Sequence, residues 1–388
     1  MAAQGAGPRR GCRVCGGRVK RNGTTSAGKT RWRCTDCGSS STRSRPDVAR
    51  RAQAEAFVAW LTGTASQRVL GGGTGRTFRD QHAWCWNIEP RIPVTGQVYD
   101  EVQVDGIYLR SGWCALIAIT GGQVIGWQWC DREKQAAWAA LLARLPAPRV
   151  VVTDGQAGIL AAVAQCWPTT RVQRCLVHVQ RNVRTYLTLK PRTDAGRTLR
   201  ALSLSLTKIT TRDAATTWLT RLNDWHQVHG HLTRQRTYRH AVHAAAVPSW
   251  TRPGQTWWYT HDRLRKAYRL LAKLARKNVL FTYLDPAFDG LGISSTTNKI
   301  EGGINAQLRL VLRHHRGMSP HHARRAIEWW CYQHSENPRP PASLIQPAHW
   351  QPPTPTTVID EPDGPTGYDT HTSADEGLWA RKGWAGHS

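Results

Sequence analysis

The spacing of apolar residues divides the chain into stretches of different rhythm. Residues 1–45 are rich in Gly and Ser, with little periodic hydrophobicity. From Pro46 the apolar positions recur at helical spacing. A first helix is expected over Pro46–Leu61, with Ala52, Ala56, Val58, Trp60 and Leu61 on its buried side. Thr64 or Ser66 caps a short second helix through Leu70. Gly71–Gly73 then makes a turn, and Thr74 caps a third helix to about Asn87. From about Val94 the pattern shortens into β-rich runs at Gln97–Val104, Trp113–Thr120, Gln123–Trp129, Arg149–Thr153 and Arg171–Cys175. An Ala- and Leu-rich helix, Gln135–Leu145, separates the third run from the fourth. Lys190 to Leu284 reads as mostly helical. From about Glu336 the chain holds nine of the 21 prolines and is expected to be disordered.

Charge adds a partner to this outline. The 388 residues carry 53 Lys+Arg against 26 Asp+Glu, a formal charge of +27. Self-repulsion on that scale favours a polyanionic partner, and nucleic acid is the usual one. Residues 351–388 carry six acidic and two basic residues, so the rest is more basic still. Met1–Arg10 lacks the apolar core of a signal peptide. No apolar run approaches the ~20 residues of a membrane-spanning helix. A cytoplasmic, nucleoid-associated bacterial protein is expected, with reduced cysteines.

Four of the ten cysteines are grouped, as Cys12-x2-Cys15 and Cys34-x2-Cys37. Each pair can chelate one ion from a tight turn, and two turns complete a closed tetrahedral site. A zinc ribbon is therefore expected, its Zn²⁺ structural, with Gly16–Gly17 and Gly38 supplying positive φ. Arg13, Arg18, Lys20, Arg21, Arg31 and Arg33 decorate it for phosphate contact. The three helices that follow resemble a helix-turn-helix, with Arg76, Arg79 and Gln81 facing DNA.

The chemistry centres on carboxylates. Asp105 closes the run Glu101–Asp105 and precedes Gly106, while Asp154 ends Val150–Asp154 and precedes Gly155. Three strands in a meander, a helix, then a strand bearing a second Asp is the order of the ribonuclease H-like fold. A third carboxylate is expected on a later helix, and Glu301 stands where Thr296 or Thr297 can cap one. Ile300, Ile304, Leu308 and Leu312 then share a face. Such oxygen ligands suit Mg²⁺, and two ions about 4 Å apart activate the attacking oxygen and stabilise the leaving one. Asp100, Glu101, Asp131, Glu133, Asp285 and Asp289 compete for the role but lack the shared setting of strand end with glycine, or capped helix.

Val104-Asp-Gly, Val152-Thr-Asp-Gly and Asn298-Lys-Ile-Glu-Gly-Gly-Ile-Asn together resemble the catalytic blocks of Mutator-type bacterial insertion-sequence transposases. Gln173-Arg-Cys-Leu-Val-His178 is similar to their Cys-x2-His signature. The resemblance runs from about residue 97 to 335. It implies a DDE transposase with Mg²⁺, DNA as substrate, and a large helical insertion before the Glu. Cys175 and His178 could bind metal, but one Cys and one His are only half a site; a buried cysteine with a histidine near the active-site phosphate is the better reading, and Asn298 joins them as active-site support.

The expected class is α/β, a ribonuclease H-like catalytic domain with a helical insertion. The expected layout is a zinc ribbon (1–45), a helix-turn-helix region (46–92), the catalytic core (93–190 and 291–335), the helical insertion (191–290) and an acidic, Pro-rich tail (336–388). Residues 190–280 carry eighteen Lys+Arg and four acidic residues, with Trp257 and Trp258 as candidates to stack on an unpaired base. Arg309, Arg313, His314, His315, Arg316, Arg324 and Arg325, with no acidic residue among them before Glu328, are expected to grip the DNA backbone beside the Glu. Double-stranded DNA, both terminal repeats and target, is the expected partner, with at least a dimer by analogy. A DNA-binding regulator derived from an inactive transposase, and a ribonuclease H-like nuclease without strand transfer, remain alternatives.

Overall fold

A computed structural model describes residues 11–12, 14–42, 46–70, 75–109 and 111–350. Arg13, Gly71–Gly73, Thr74 and the acidic segment from residue 351, named above, lie outside these. Two compact units are present, one of residues up to 91 with 310–333 and the segment from 337, the other of 92–309 with 334–336.

In the first unit β1 (Val19–Thr24), β2 (Thr30–Cys34) and β3 (Ser40–Thr42) form an antiparallel sheet. Gly16 and Gly38, behind the two cysteine pairs, have φ of 74° and 71°. Helices α1 (Pro46–Thr62), α2 (Gln67–Leu70) and α3 (Gly75–His82) follow, and α3 tightens into a 3₁₀ turn at Ala83–Asn87. The buried side of α1 is Ala54, Phe57, Val58, Trp60 and Leu61. Ala52 and Ala56 are exposed, contrary to the expectation. The steps of three and four from Ala54 to Leu61 put the two larger aromatics inward, where Phe57, Trp60, Phe78 and Trp86 meet edge to face.

The second unit is a mixed α/β structure. Strands β4 (Glu101–Tyr108), β5 (Cys114–Thr120) and β6 (Gln123–Cys130) are antiparallel. After helix α4 (Gln135–Leu142), β7 (Val150–Thr153) lies parallel to β4; after α5 (Ala157–Cys166), β8 (Arg171–Arg174) lies parallel to β7. The sheet order is β6-β5-β4-β7-β8. The whole of β7 is buried, as its unbroken Val-Val-Val run requires of an inner parallel strand. Val102, Val104, Leu116, Trp138, Leu141, Ile159 and Trp167 belong to one core joining the sheet to α4 and α5.

β4 begins and ends later than its sequence suggests. Asp105 is mid-strand, paired with Ile117, and the ladder continues to Tyr108 opposite Cys114. Gly106 does not end the strand because the β5 partner continues past it.

Helices α6 (Leu176–Leu187), α7 (Asp194–Ser205), α8 (Arg212–Arg234) and α9 (Asp262–Arg276) build a second core, with a small hairpin of β9 (Arg236–Tyr238) and β10 (Trp257–Tyr259) between the last two. Trp218 and Trp225 are buried in that core, donating to Leu202 O at 2.9 Å and Ala195 O at 3.1 Å. Trp258 is buried too, so its ring is closed to base stacking, while the half-buried Trp257 carries the Arg236 guanidinium over its ring at 4.0 Å. Lys299–Ile304 is π-helical and continues as α10 (Asn305–His314).

Helix α11 (Pro320–Gln333) returns to the first unit and packs on α1. Two corrections arise here. Arg325 is buried between Glu89 (3.0 Å) and Glu328 (2.7 Å), and His315 meets Leu61 O at 2.9 Å, so both serve the fold rather than a nucleic acid. Residues 341–350 are ordered as short 3₁₀ turns on α1 and the Ala83–Asn87 turn, with the Arg50 guanidinium 3.7 Å from the Trp350 ring. Pro341 and Trp350 supply apolar surface that the proline count hides. Among the described residues no helix is long and apolar enough to cross a membrane.

Candidate active site

Asp105 and Asp154 stand on neighbouring parallel strands. The β4–β7 register pairs Gln103 with Val152, and two further steps set Asp105 beside Asp154. Asp154 follows β7 directly. Its Oδ1 accepts from Gln156 N at 3.1 Å and Thr153 Oγ1 at 3.3 Å, which fixes the carboxylate in a local turn. Gly155 has a φ of 73°, and a Cβ there would lie 2.0 Å from the buried Arg174 guanidinium, which donates to Asp154 O. Gly155→Ala should therefore cost about 2–4 kcal/mol, from left-handed strain and a displaced buried cation. An unchanged urea midpoint would contradict this account of the glycine.

Asp105 accepts from Asn305 Nδ2 at 2.8 Å. Burial raises its carboxyl to about 7; repulsion from Asp154 and Glu301 adds to that, and His178 opposes it. Asp154 and Glu301 thus both act on Asp105, although Glu301 reaches the place from a distant helical turn.

Glu301 departs from the expected geometry. Thr297 does not cap a regular helix; its Oγ1 donates to Glu301 Oε1 at 2.8 Å within a π-helical turn. Arg181 Nη1 lies 2.7 Å from Glu301 Oε2, and His178 Nδ1 lies 3.2 Å from Oε1. Burial works to raise the Glu301 carboxyl, but His178, Arg181 and Thr297 outweigh it and lower it. The π-turn seats Ile300, Ile304, Leu308 and Val311 in the interior, leaving Leu312 half-buried.

Cys175 and His178 lie where the second aspartate's neighbouring strand passes into α6. Both are buried, and Cys175 Sγ accepts from Thr297 N at 3.3 Å and lies 3.2 Å from Thr297 Oγ1. Burial alone would lower the His178 imidazole; bonding to Cys175 and the charges of Asp154 and Glu301 raise it to about 9. The Cys175 thiol is lowered in return, burial notwithstanding, by His178 and Thr297. Cys175, His178 and Glu301 offer ligand atoms within 4.8 Å of one another. Asp105, Asp154 and Glu301 do not form so tight a group here; their coupling is through charge.

Asn298 is exposed, whereas Asn305 is the buried asparagine that reaches Asp105. Glu133, set aside as a competitor, feels the charges of Asp105 and Asp154. Its signal was weak because it precedes a helix rather than ending a strand.

In the first unit the sulfurs of Cys12, Cys15, Cys34 and Cys37 gather within 4.8 Å, with Cys12–Cys37 at 3.7 Å and Cys15–Cys34 at 3.5 Å. Arg31 and Arg33 are exposed on one face of β2. Arg76 pairs with Asp80 at 3.8 Å, and Arg79 donates to Gln67, both cations being exposed. Arg309 and Arg313 on α10 are exposed as well.

Residues 113–252 match the sequence model of a family described as Transposase, Mutator family. The chain is 35% identical over 101 residues to the transposase for insertion sequence element IS905 of Lactococcus lactis subsp. lactis (strain IL1403), covering 22% of this chain and 26% of that protein. It is 30% identical over 112 residues to the transposase for insertion sequence element ISRM5 of Rhizobium meliloti (strain 1021), covering 27% and 28%. The matched stretches thus span about a quarter of each relative's length. Residues 113–252 thus resemble the Mutator family of transposases, and the matched relatives are transposases of insertion sequences.

Proposed function

We propose that the chain is a DDE transposase that cuts DNA at the ends of an insertion sequence and joins them to target DNA. One observation carries the reading: Asp154, just past β7, and Glu301, on a distant helical turn, both act on Asp105 in the neighbouring strand β4. The strand order and the position of α4 support a ribonuclease H-like core, with the helices between β8 and Glu301 as its insertion.

The donor set fits a hard divalent cation, since Asp105 is raised by burial and by two further carboxylates, Asp154 and Glu301, that offer oxygen ligands. Mg²⁺, when bound, supplies the positive charge that lowers the barrier at attacking and leaving oxygens. Arg181, His178 and Thr297 hold Glu301 in place, and Asn305 holds Asp105. The sulfur spacings near 3.5–3.7 Å suit a Zn²⁺ at roughly 2.3 Å from each thiolate, giving residues 1–45 a structural zinc. Arg31, Arg33, Arg76, Arg79, Arg309 and Arg313 are proposed DNA contacts, α1–α3 a helix-turn-helix, and the assembly on DNA at least a dimer.

The test is a cleavage and strand-transfer assay on DNA carrying the terminal repeats, with Mg²⁺ or with chelator. Cleaved and joined products are expected only with the cation. Activity in chelator, or cleavage without joining, would reject the reading, the latter in favour of a simple nuclease.

Helix α9 adds an expectation. Arg263, Lys266, Arg269, Lys273 and Arg276 are exposed at steps of three or four, opposite buried Leu264, Ala267, Leu271 and Leu274. Such a stripe suits a phosphate backbone. Replacing Arg269 and Lys273 by Ala should lower the slope of log K against log salt by about two. An unchanged slope in a binding titration would place DNA elsewhere.

A further inference from the structure

Glu133 is left without a task by the reading above. It precedes α4, yet its carboxyl lies against Gly106, the residue after Asp105. A Cβ on Gly106 would come within 2.5 Å of the Glu133 carboxyl carbon and Oε1, and 2.9 Å of Oε2. On the other side, a Cβ on Gly158 of α5 would lie 2.6 Å from Glu133 O. Glu133 N donates to Tyr108 OH at 3.4 Å. Two glycines on separate elements therefore make room for this one residue. Among the described residues its carboxylate has no hydrogen-bond or ion-pair partner, while Asp105 and Asp154 press on it with like charge. A half-buried carboxylate crowded by two others destabilises a fold unless a cation or a proton answers it.

A second observation points the same way. Asn305 is 1% exposed and donates its Nδ2 to Asp105, but its acceptor, Oδ1, has no partner. A buried acceptor left unpaired costs its full desolvation. The carboxylates of Asp105, Asp154 and Glu133 together with an orphan amide oxygen offer several oxygen ligands, which suit a hard divalent cation that keeps part of its water shell.

We propose that Glu133 is a further ligand, direct or through a bound water, of the divalent cation held at Asp105 and Asp154, and that Gly106 and Gly158 admit it. The inference rests on the metal-dependent reading of that site. It makes Gly106 a residue that shapes the cation site rather than a strand terminator.

The experiment is titration of the zinc-loaded full chain with Mn²⁺ alone, without DNA, by calorimetry, with thermal melts in parallel. Glu133→Gln should weaken Mn²⁺ binding at least about tenfold, the lower end of what loss of even an outer-shell partner costs. Gly106→Ala, which crowds the carboxyl out, should weaken it in the same direction. Glu133→Gln should also raise the metal-free melting temperature, since a repelled carboxylate becomes neutral, while the rise on adding Mn²⁺ shrinks. A packing role predicts a lower metal-free melting temperature and an unchanged Mn²⁺ affinity. Wild-type affinity in Glu133→Gln, with affinity lost in Asp105→Asn, overturns the role of Glu133 and leaves the aspartate site standing. Wild-type affinity in both variants overturns the cation site itself, and this inference with it.

Discussion

Asp105→Asn, Asp154→Asn and Glu301→Gln should each lower cleavage and joining at least about a thousandfold, the scale set by groups that act chiefly in the transition state. Each replacement keeps the shape and removes the charge. The surrounding bonds show why the fold should survive: Asp105 accepts one bond from Asn305, and Glu301 is held by Arg181, His178 and Thr297. DNA retention in a filter-binding assay should be unchanged, which separates lost chemistry from lost binding. Near-wild-type joining by any one variant would remove that residue from the catalytic set.

The same substitution has a pH signature. Asp105 is raised to about 7, chiefly by burial, so the metal-free fold prefers its neutral form. The unfolded chain has its ordinary carboxylate value near ~3.9. Stability is therefore fully present below that value and is lost progressively as pH rises through about 7. Asn mimics the neutral form, so Asp105→Asn should raise the metal-free melting temperature at pH 8. The gain should fade as the pH approaches 4, and an equal gain at both ends would rule out the electrostatic cause.

Cys34→Ser should empty the ribbon of zinc and unfold it. Cys12 and Cys34 are the buried hydrophobic residues of the described part of this segment, and three short strands cannot form a core from them. In zinc-finger peptides metal binding supplies about 10–16 kcal/mol, and that free energy is the folding free energy. Amide protection over β1–β3 should vanish while that of β4–β8 persists. Stoichiometric zinc in the variant, measured by atomic absorption, would sink the Cys₄ assignment.

Local features were legible where a short-range rule controls them. The Val150–Thr153 strand, the Gln135 start of α4 and the positive φ of Gly16 and Gly38 depend on neighbours within a few residues. The cysteine pairs likewise declare themselves by spacing, because chelation from a turn requires it. Ala52 and Ala56 misled because alanine fits either side of a helix, while Phe57 and Trp60 settle which side is inward.

Residue type and local context thus sufficed to nominate Asp105, Asp154 and Glu301, and to name the family they resemble. Tertiary structure alone decided their company. Asn305 rather than Asn298 touches Asp105 because the π-turn before α10 changes the angular position of every side chain after it. Arg325 left the DNA-facing set because Glu89, far away in sequence, lies beside it. Glu133 entered the site because two glycines on other elements open space for it. Burial and field depend on groups brought together from across the chain, and no local pattern encodes which they are.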